Sequence, residues 1–374
     1  MTPAEVLIYY KHLFSAFAFV LGAVVGSFLN VCIYRMPLNL SVNNPRRSFC
    51  PHCKQQIPWY RNLPLISWLA LRGQCANCKA PISFRYFGVE LLTALLFLAV
   101  WLKCWDEAQY LLALPYWILL SLLIVATFID FDHFIIPDEI TWGGTGAGIV
   151  ASLLFPALMG EETLLRGLLW SGIGAATGYF TLRAVVELGK IAFGKKRIAL
   201  APAAPFTWKR DGDDADFQVG EDKMRWSDLF SRESDRLVLQ CKKAEIAGKQ
   251  HGETSLVFFY NRVLVAGETH ELDHLDSLSG IATEVVIPRE AMGLGDVKFI
   301  AAIGAFLGWK AVFFTIMAAS VIGALVGVTT ILLRKREWSA KIPFGPYLAL
   351  GAVIWLFVGP QLVEWYLNLL APKL

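Results

Sequence analysis

Between Lys11 and Arg35 the chain runs 23 residues without a charge, and no other feature limits its possible folds so strongly. A helix rises 1.5 Å per residue, so about 20 apolar residues cross about 30 Å of hydrocarbon. In that medium every backbone polar group must be satisfied within the protein, which leaves helices or closed barrels. Uncharged intervals of similar length recur at 108–129 and 311–333. With 56% hydrophobic residues, 17% charged residues and a mean hydropathy of +0.50, the chain has far more apolar surface than a soluble domain needs. A net charge of +3 implies no nucleic acid. The first run has no basic region or small-residue cleavage site ahead of it and is expected to be retained as a span.

The intervals between charges predict a polytopic α-helical membrane protein of about eight transmembrane helices. After the first span come Arg85–Lys103, Ala108–Ile129, Ile140–Gly160 and Thr163–Gly189. A short sixth span follows at Phe299–Trp309, then Ala311–Leu333, and a last one opens at KIPFGPYLAL and ends near Val363. Arg35, Arg46, Arg47, Lys54, Arg61, Arg72, Lys79 and Arg85 lie between the first two spans, against Lys11 alone before the first. The excess of Lys and Arg on cytoplasmic loops then sets that loop in the cytoplasm and the N-terminus outside. Arg334, Lys335 and Arg336 close the seventh span on the cytoplasmic side, and the eighth leaves the C-terminus outside.

From Lys190 to Arg289 the pattern changes. Acidic clusters (Asp211, Asp213, Asp214, Asp216) and the apolar runs RLVLQC (236–241), SLVFFYN (255–261) and RVLVAG (262–267) predict strands joined by polar turns. This is a soluble, strand-rich insertion on the cytoplasmic side. The chain thus divides into a first span (1–34), a cytoplasmic cysteine domain (35–85), spans two to five (86–189), the insertion (190–289), and spans six to eight (290–374).

Of seven cysteines, four form CPHC (50–53) and CANC (75–78). Two such turns offer Cys50, Cys53, Cys75 and Cys78 to one point, which matches a closed tetrahedral zinc site. A redox-active CxxC pair or metal-free packing would use the same residues, but a thioredoxin-like pair would need a βαβ context that is not visible here.

The sixth span is only 11 residues long unless it takes Gly293-Leu294-Gly295-Asp296-Val297-Lys298 into its first layers. Asp296 would then lie at membrane depth, where an ionisable group is a functional-site hypothesis. Gly293 and Gly295 leave the backbone bare beside it. The alternative is a glycine-punctuated helix start with Asp as its N-terminal charge. The third span ends in FIDFDHFIIPDEI (128–140), which sets Asp130 at the same membrane face. Pro137 suits the start of the next helix, and Asp132 and Glu139 read as solvated acids. Two carboxylates that share a site cannot both ionise cheaply, so one can serve as base and the other as acid.

With GSFLNVCIYR, the CxxC pairs, NLPLISWLALRG (62–73), ISFRYFGVELLTA (82–94), IDFDHFIIPD (129–138), MGLGDVK (292–298) and IPFGPYL (342–348), the chain resembles the bifunctional type IV prepilin peptidases, intramembrane aspartyl proteases of the GxGD kind. The resemblance implies that Asp130 and Asp296 are the catalytic pair, with Gly293, Gly295, Lys298, Pro137 and Asp138 as supporting motif residues. It implies cleavage of a basic leader from type IV prepilins or secretion pseudopilins at the cytoplasmic face of the bacterial inner membrane. Methylation of the new N-terminus with S-adenosylmethionine follows, and the four cysteines form the zinc domain linked to that step. Two departures stand out: the family joins spans five and six by a short loop, and Phe87 stands where it commonly has Pro. A transporter with an intramembrane acid relay would leave the cysteine-rich loop unexplained, and a peptidase without methyl transfer would keep it as a structural cap. No dinucleotide-type glycine fingerprint marks where the methyl donor binds.

Overall fold

The computed structural model describes residues 3–45, 48–50, 52–193, 195–212, 214–230, 236–246, 248–288, 293–333 and 343–370. Asp213, Met292 and the basic triplet Arg334–Arg336 lie outside the described residues. The chain divides into two compact units, Met1–Arg183 with Met292–Leu374, and Ala184–Ala291.

Nine helices are present among the described residues: α1 (Pro3–Arg35), α2 (Ile66–Ala70), α3 (Phe84–Asp106), α4 (Ala113–His133), α5 (Asp138–Leu154), α6 (Leu164–Phe193), α7 (Trp226–Leu229), α8 (Leu294–Leu332) and α9 (Gly345–Leu370). Among the described residues, five stretches are long and apolar enough to cross a bilayer: Tyr9–Leu38, Phe84–Asp106, Tyr110–His133, Leu294–Leu332 and Gly345–Leu370. Their side chains divide by environment. Leu120, Ile129, Phe306 and Ala352 are buried between helices, while Phe17, Val20, Leu95 and Leu325 point outward. Outward apolar faces on this scale mark a membrane protein, since water would not tolerate them.

Local sequence explains where the helices stop. α5 ends at Leu154, earlier than the uncharged interval suggests, because Phe155 precedes Pro156 and the residue before proline is pushed out of the helical region. α4 continues past the expected Ile129 to His133, and Phe134 closes it in the left-handed region at φ 54°. At 39 residues, α8 would be about 58 Å long if straight, nearly twice the hydrocarbon thickness. It is not straight. Gly308, at φ 78° and ψ 172°, breaks it, and a Cβ placed on Gly304 would lie 2.9 Å from Val312 Cγ2. Eight residues of unbroken helix would separate those positions by about 12 Å, so the chain doubles back there, as only a residue without a Cβ readily does. The first arm packs on α6 through small residues: a Cβ on Gly174 would strike the Gly304 carbonyl oxygen at 2.2 Å.

The second unit is a nine-stranded antiparallel sheet: β1 (Lys195–Asp211), β2 (Asp214–Val219), β3 (Asp222–Arg225), β4 (Leu237–Ile246), β5 (Lys249–His251), β6 (Thr254–Phe258), β7 (Arg262–Val265), β8 (Glu268–Glu271) and β9 (Ser277–Pro288). The strand order is β3-β2-β1-β9-β4-β6-β7-β8, with β5 on β4. Along β4, Leu237, Leu239 and Cys241 turn inward and then Ala244 and Ile246 do. The parity flips at the register shift around Cys241, as a bulge requires. Phe206, Phe217, Trp226 and Phe258 form the core, with Trp226 and Phe258 ring centroids 5.4 Å apart.

Candidate functional site

Four helix ends meet in the first unit: the C-terminal end of α4 and the N-terminal ends of α5, α8 and α9. Asp130 occupies the last turn of α4 and Asp296 the first turn of α8, and both are buried. The two turns touch through Ile136. Its Cβ and backbone N lie 3.4 Å from the Cβ position of Gly295, and its Cδ1 lies 3.0 Å from that of Gly345. The first residue of α9 completes the arrangement, since Gly345 N–H donates to Asp130 Oδ2 at 2.9 Å. Backbone donors at a helix N-terminus are an anion site by construction, and here a carboxylate fills it. A Cβ on Gly345 would fall 2.7 Å from the same oxygen, so this approach needs glycine.

Gly293 caps α8 in an extended conformation, φ −71° and ψ 146°, and Gly295 is in ordinary contact with Ile136. Pro137 precedes α5 as its cap residue, and Asp138 opens that helix. Lys298 Nζ bridges Asp138 Oδ1 at 2.7 Å and lies over the Trp142 ring at 5.9 Å. Asp132, read from sequence as solvated, pairs with Arg85, which also donates to the Phe128 carbonyl at 3.0 Å and stacks on the Phe128 ring. Sequence reasoning passed over Gly345, Ile136 and Arg85. The IPFGPYL motif was the one signal for Gly345, and nothing in it pointed to Asp130, 215 positions away.

The cysteines form a second centre in the first unit. Each CxxC is followed by a lysine at φ 59°, Lys54 and Lys79. In each, the first cysteine accepts from that lysine's N–H, Lys54 to Cys50 at 2.9 Å and Lys79 to Cys75 at 3.0 Å. The isolated bridges Phe49 to Gln56 and Gln74 to Pro81 close the two matching loops. One sulfur from each residue lies within 4.8 Å of the others, and Cys50 Sγ and Cys78 Sγ are 3.8 Å apart. A tetrahedron with metal–sulfur bonds of about 2.3 Å has edges of about 3.8 Å, so the donor set fits zinc in number, chemistry and spacing. Backbone N–H groups of Cys78 and Asn77 directed at Cys75 pull its thiol down to about 6. Cys53 is lowered by the Gln55 N–H and then by the Asn77 amide. Despite the Ala80 N–H at its sulfur, lost hydration and the neighbouring sulfurs push Cys78 up to about 11.

Residues 20–104 match the bacterial peptidase A24 N-terminal domain, and residues 117–210 and 256–328 match the type IV leader peptidase family. The part of that second match left open, 211–255, lies within the sheet unit. A prepilin leader peptidase/N-methyltransferase of Aeromonas hydrophila is 31% identical over 95% of this chain and 94% of its own length. The protein of that name from Myxococcus xanthus is 32% identical over 100% of this chain and 81% of its own, and that from Stutzerimonas stutzeri is 28% identical over 98% and 99%. No solved structure matches the chain.

Proposed function

The chain belongs to the type IV leader peptidase family, and on that premise we propose that its dyad and cysteine centre carry the two steps of a prepilin leader peptidase/N-methyltransferase. The enzyme removes the leader of prepilin-like proteins and N-methylates the amine so exposed. The observation that supports the dyad best is the meeting of Asp130 and Asp296 on abutting helix ends, both buried, with the Gly345 N–H on Asp130.

Asp130 and Asp296 share one proton, because two carboxylates so placed do not both ionise. The ionised member takes a proton from water as the water oxygen bonds to the scissile carbonyl carbon, while the protonated member hydrogen-bonds the carbonyl oxygen. Collapse breaks the carbon–nitrogen bond, and the nitrogen leaves with a proton from the pair. Gly345 orients Asp130, and the Lys298–Asp138 pair ties α8 to α5 beside it.

Cys50, Cys53, Cys75 and Cys78 hold a structural Zn2+, which supplies folding energy to the loops that carry them. S-adenosylmethionine is the methyl donor. Eight helices cross the bacterial inner membrane with both termini outside. The dyad, the cysteine domain (35–85) and the insertion (190–289) are cytoplasmic, and substrates are type IV prepilins or secretion pseudopilins. The test is to incubate purified protein with a prepilin and S-adenosylmethionine and to read the product by mass. A shortened chain carrying one added methyl group is expected, and an intact prepilin would refute the reading.

A further inference from the structure

Between the cysteine loops and the facing ends of α1 and α3 lies a cavity of about 400 Å³, within the range of small-molecule sites. Its floor is Ser27 and Asn30 of α1 with Glu90 of α3, and its walls include Trp68 and Tyr86. Among the described residues lining it, Glu90 is the single carboxylate. Glu90 Oε2 accepts from Leu65 N–H at 2.7 Å. That residue sits at φ 64° and ψ −52°, and Ile66 N–H closes a three-residue turn onto the Pro64 carbonyl at 2.7 Å. A turn of this hand is rare and strained for a residue other than glycine. Backbone held in such a state gathers at ligand clamps, and here the clamp is the carboxylate at the cavity floor.

We infer that this cavity binds the methyl donor, with Glu90 facing its sulfonium; the inference rests on the two-step reading above and assigns its second site. An S-adenosyl sulfonium is a cation joined to an aromatic base. The lining also carries Arg35 and Arg61, which suit the donor's amino-acid carboxylate, while Glu90 and the ring faces take the cation and the rings take the base. Position agrees as well. Glu90 follows Arg85 by little more than one helical turn on α3, and Arg85 binds Asp132 and the Phe128 carbonyl on the α4 turn that bears Asp130. A cleaved substrate therefore has a short way to go from dyad to cavity. There the deprotonated amine nitrogen forms a bond to the methyl carbon as the carbon–sulfur bond breaks and its electron pair returns to sulfur. A neutral thioether remains, and the methylated ammonium gives its surplus proton to water.

The test compares binding of S-adenosylmethionine and of the uncharged S-adenosylhomocysteine to the full-length protein and to Glu90→Gln. The amide keeps an acceptor for Leu65 N–H and removes only the charge. Affinity for the sulfonium is expected to fall about tenfold, the equivalent of about 1.4 kcal/mol, and that for the thioether to change less than about threefold at the same conversion. An equal loss for both, or none for either, would overturn the assignment while the wild type still methylates. Photolabelling of the wild type with an azido-adenine donor should mark peptides containing Trp68 or Tyr86, and label found only elsewhere would overturn it independently of any variant. A wild type that binds neither ligand and leaves its product unmethylated would take down the two-step reading itself, and this assignment with it.

Discussion

Asp130 and Asp296 stand on long helices whose packing fixes their positions, whereas the four cysteines hang on loops whose regular structure amounts to a few turns and two isolated bridges. In the first region geometry comes from contacts between motifs far apart in sequence: Ile136, from the motif that bears Asp130, abuts Gly295 beside Asp296, and Gly345 donates to Asp130. In the second it comes from within, since each CxxC repeats the same lysine-closed loop. A site set by packing should fail through misplacement of one atom. A site set by its own ligands should fail by unfolding when the metal leaves.

The sharpest way to break this comparison is at the acids. Asp130→Asn and Asp296→Asn should each lower leader cleavage by at least about 10²-fold without loss of membrane insertion, as read by product mass. An active Asp130→Asn beside an inactive Asp132→Asn would assign the partner carboxylate wrongly. Cys50→Ser should release zinc, measured by elemental analysis, and reduce methylation about tenfold or more while cleavage falls far less, because the lost metal energy belongs to the cysteine loops. Equal loss of both steps would mean that the two regions fold as one. Gly345→Ala sharpens the packing half: its Cβ would fall 2.7 Å from Asp130 Oδ2, and a displacement of that kind should cost about tenfold to 10²-fold in cleavage rate. The smallest effect is expected at Lys298→Gln. Its partner Asp138 is 65% exposed, such pairs contribute about 0–1 kcal/mol, and the cleavage rate should change by no more than about threefold; a larger loss would place Lys298 in the chemistry.

Much of this was legible in the residues. Intervals with few or no charges located the five helices long and apolar enough to cross a bilayer, because hydrocarbon tolerates so few alternatives, and alternation in RLVLQC and SLVFFYN gave β4 and β6. The paired CxxC spacing named the cysteine centre because its ligands are near in sequence. Lys310, which separates the sixth and seventh intervals, set a boundary two residues from the break at Gly308, though not the glycine that makes it. Two features were not legible. The flip of parity in β4 depends on the register of β9, a partner strand. Gly345 meets Asp130 because α4 and α9 pack together, and no local pattern encodes that meeting.

The turn at Gly308 leaves the arm that carries Asp296 with about 14 residues, a rise of about 21 Å against about 30 Å of hydrocarbon. The shortfall is a matter of hydration. A helix that stops short makes the surrounding lipid thin or lets water descend to its end. If Asp296, buried near one end of that arm, is where the proposed reaction consumes its water, the shortness of the arm is a means of supply: it lowers the aqueous boundary toward that carboxylate without opening a channel through the protein.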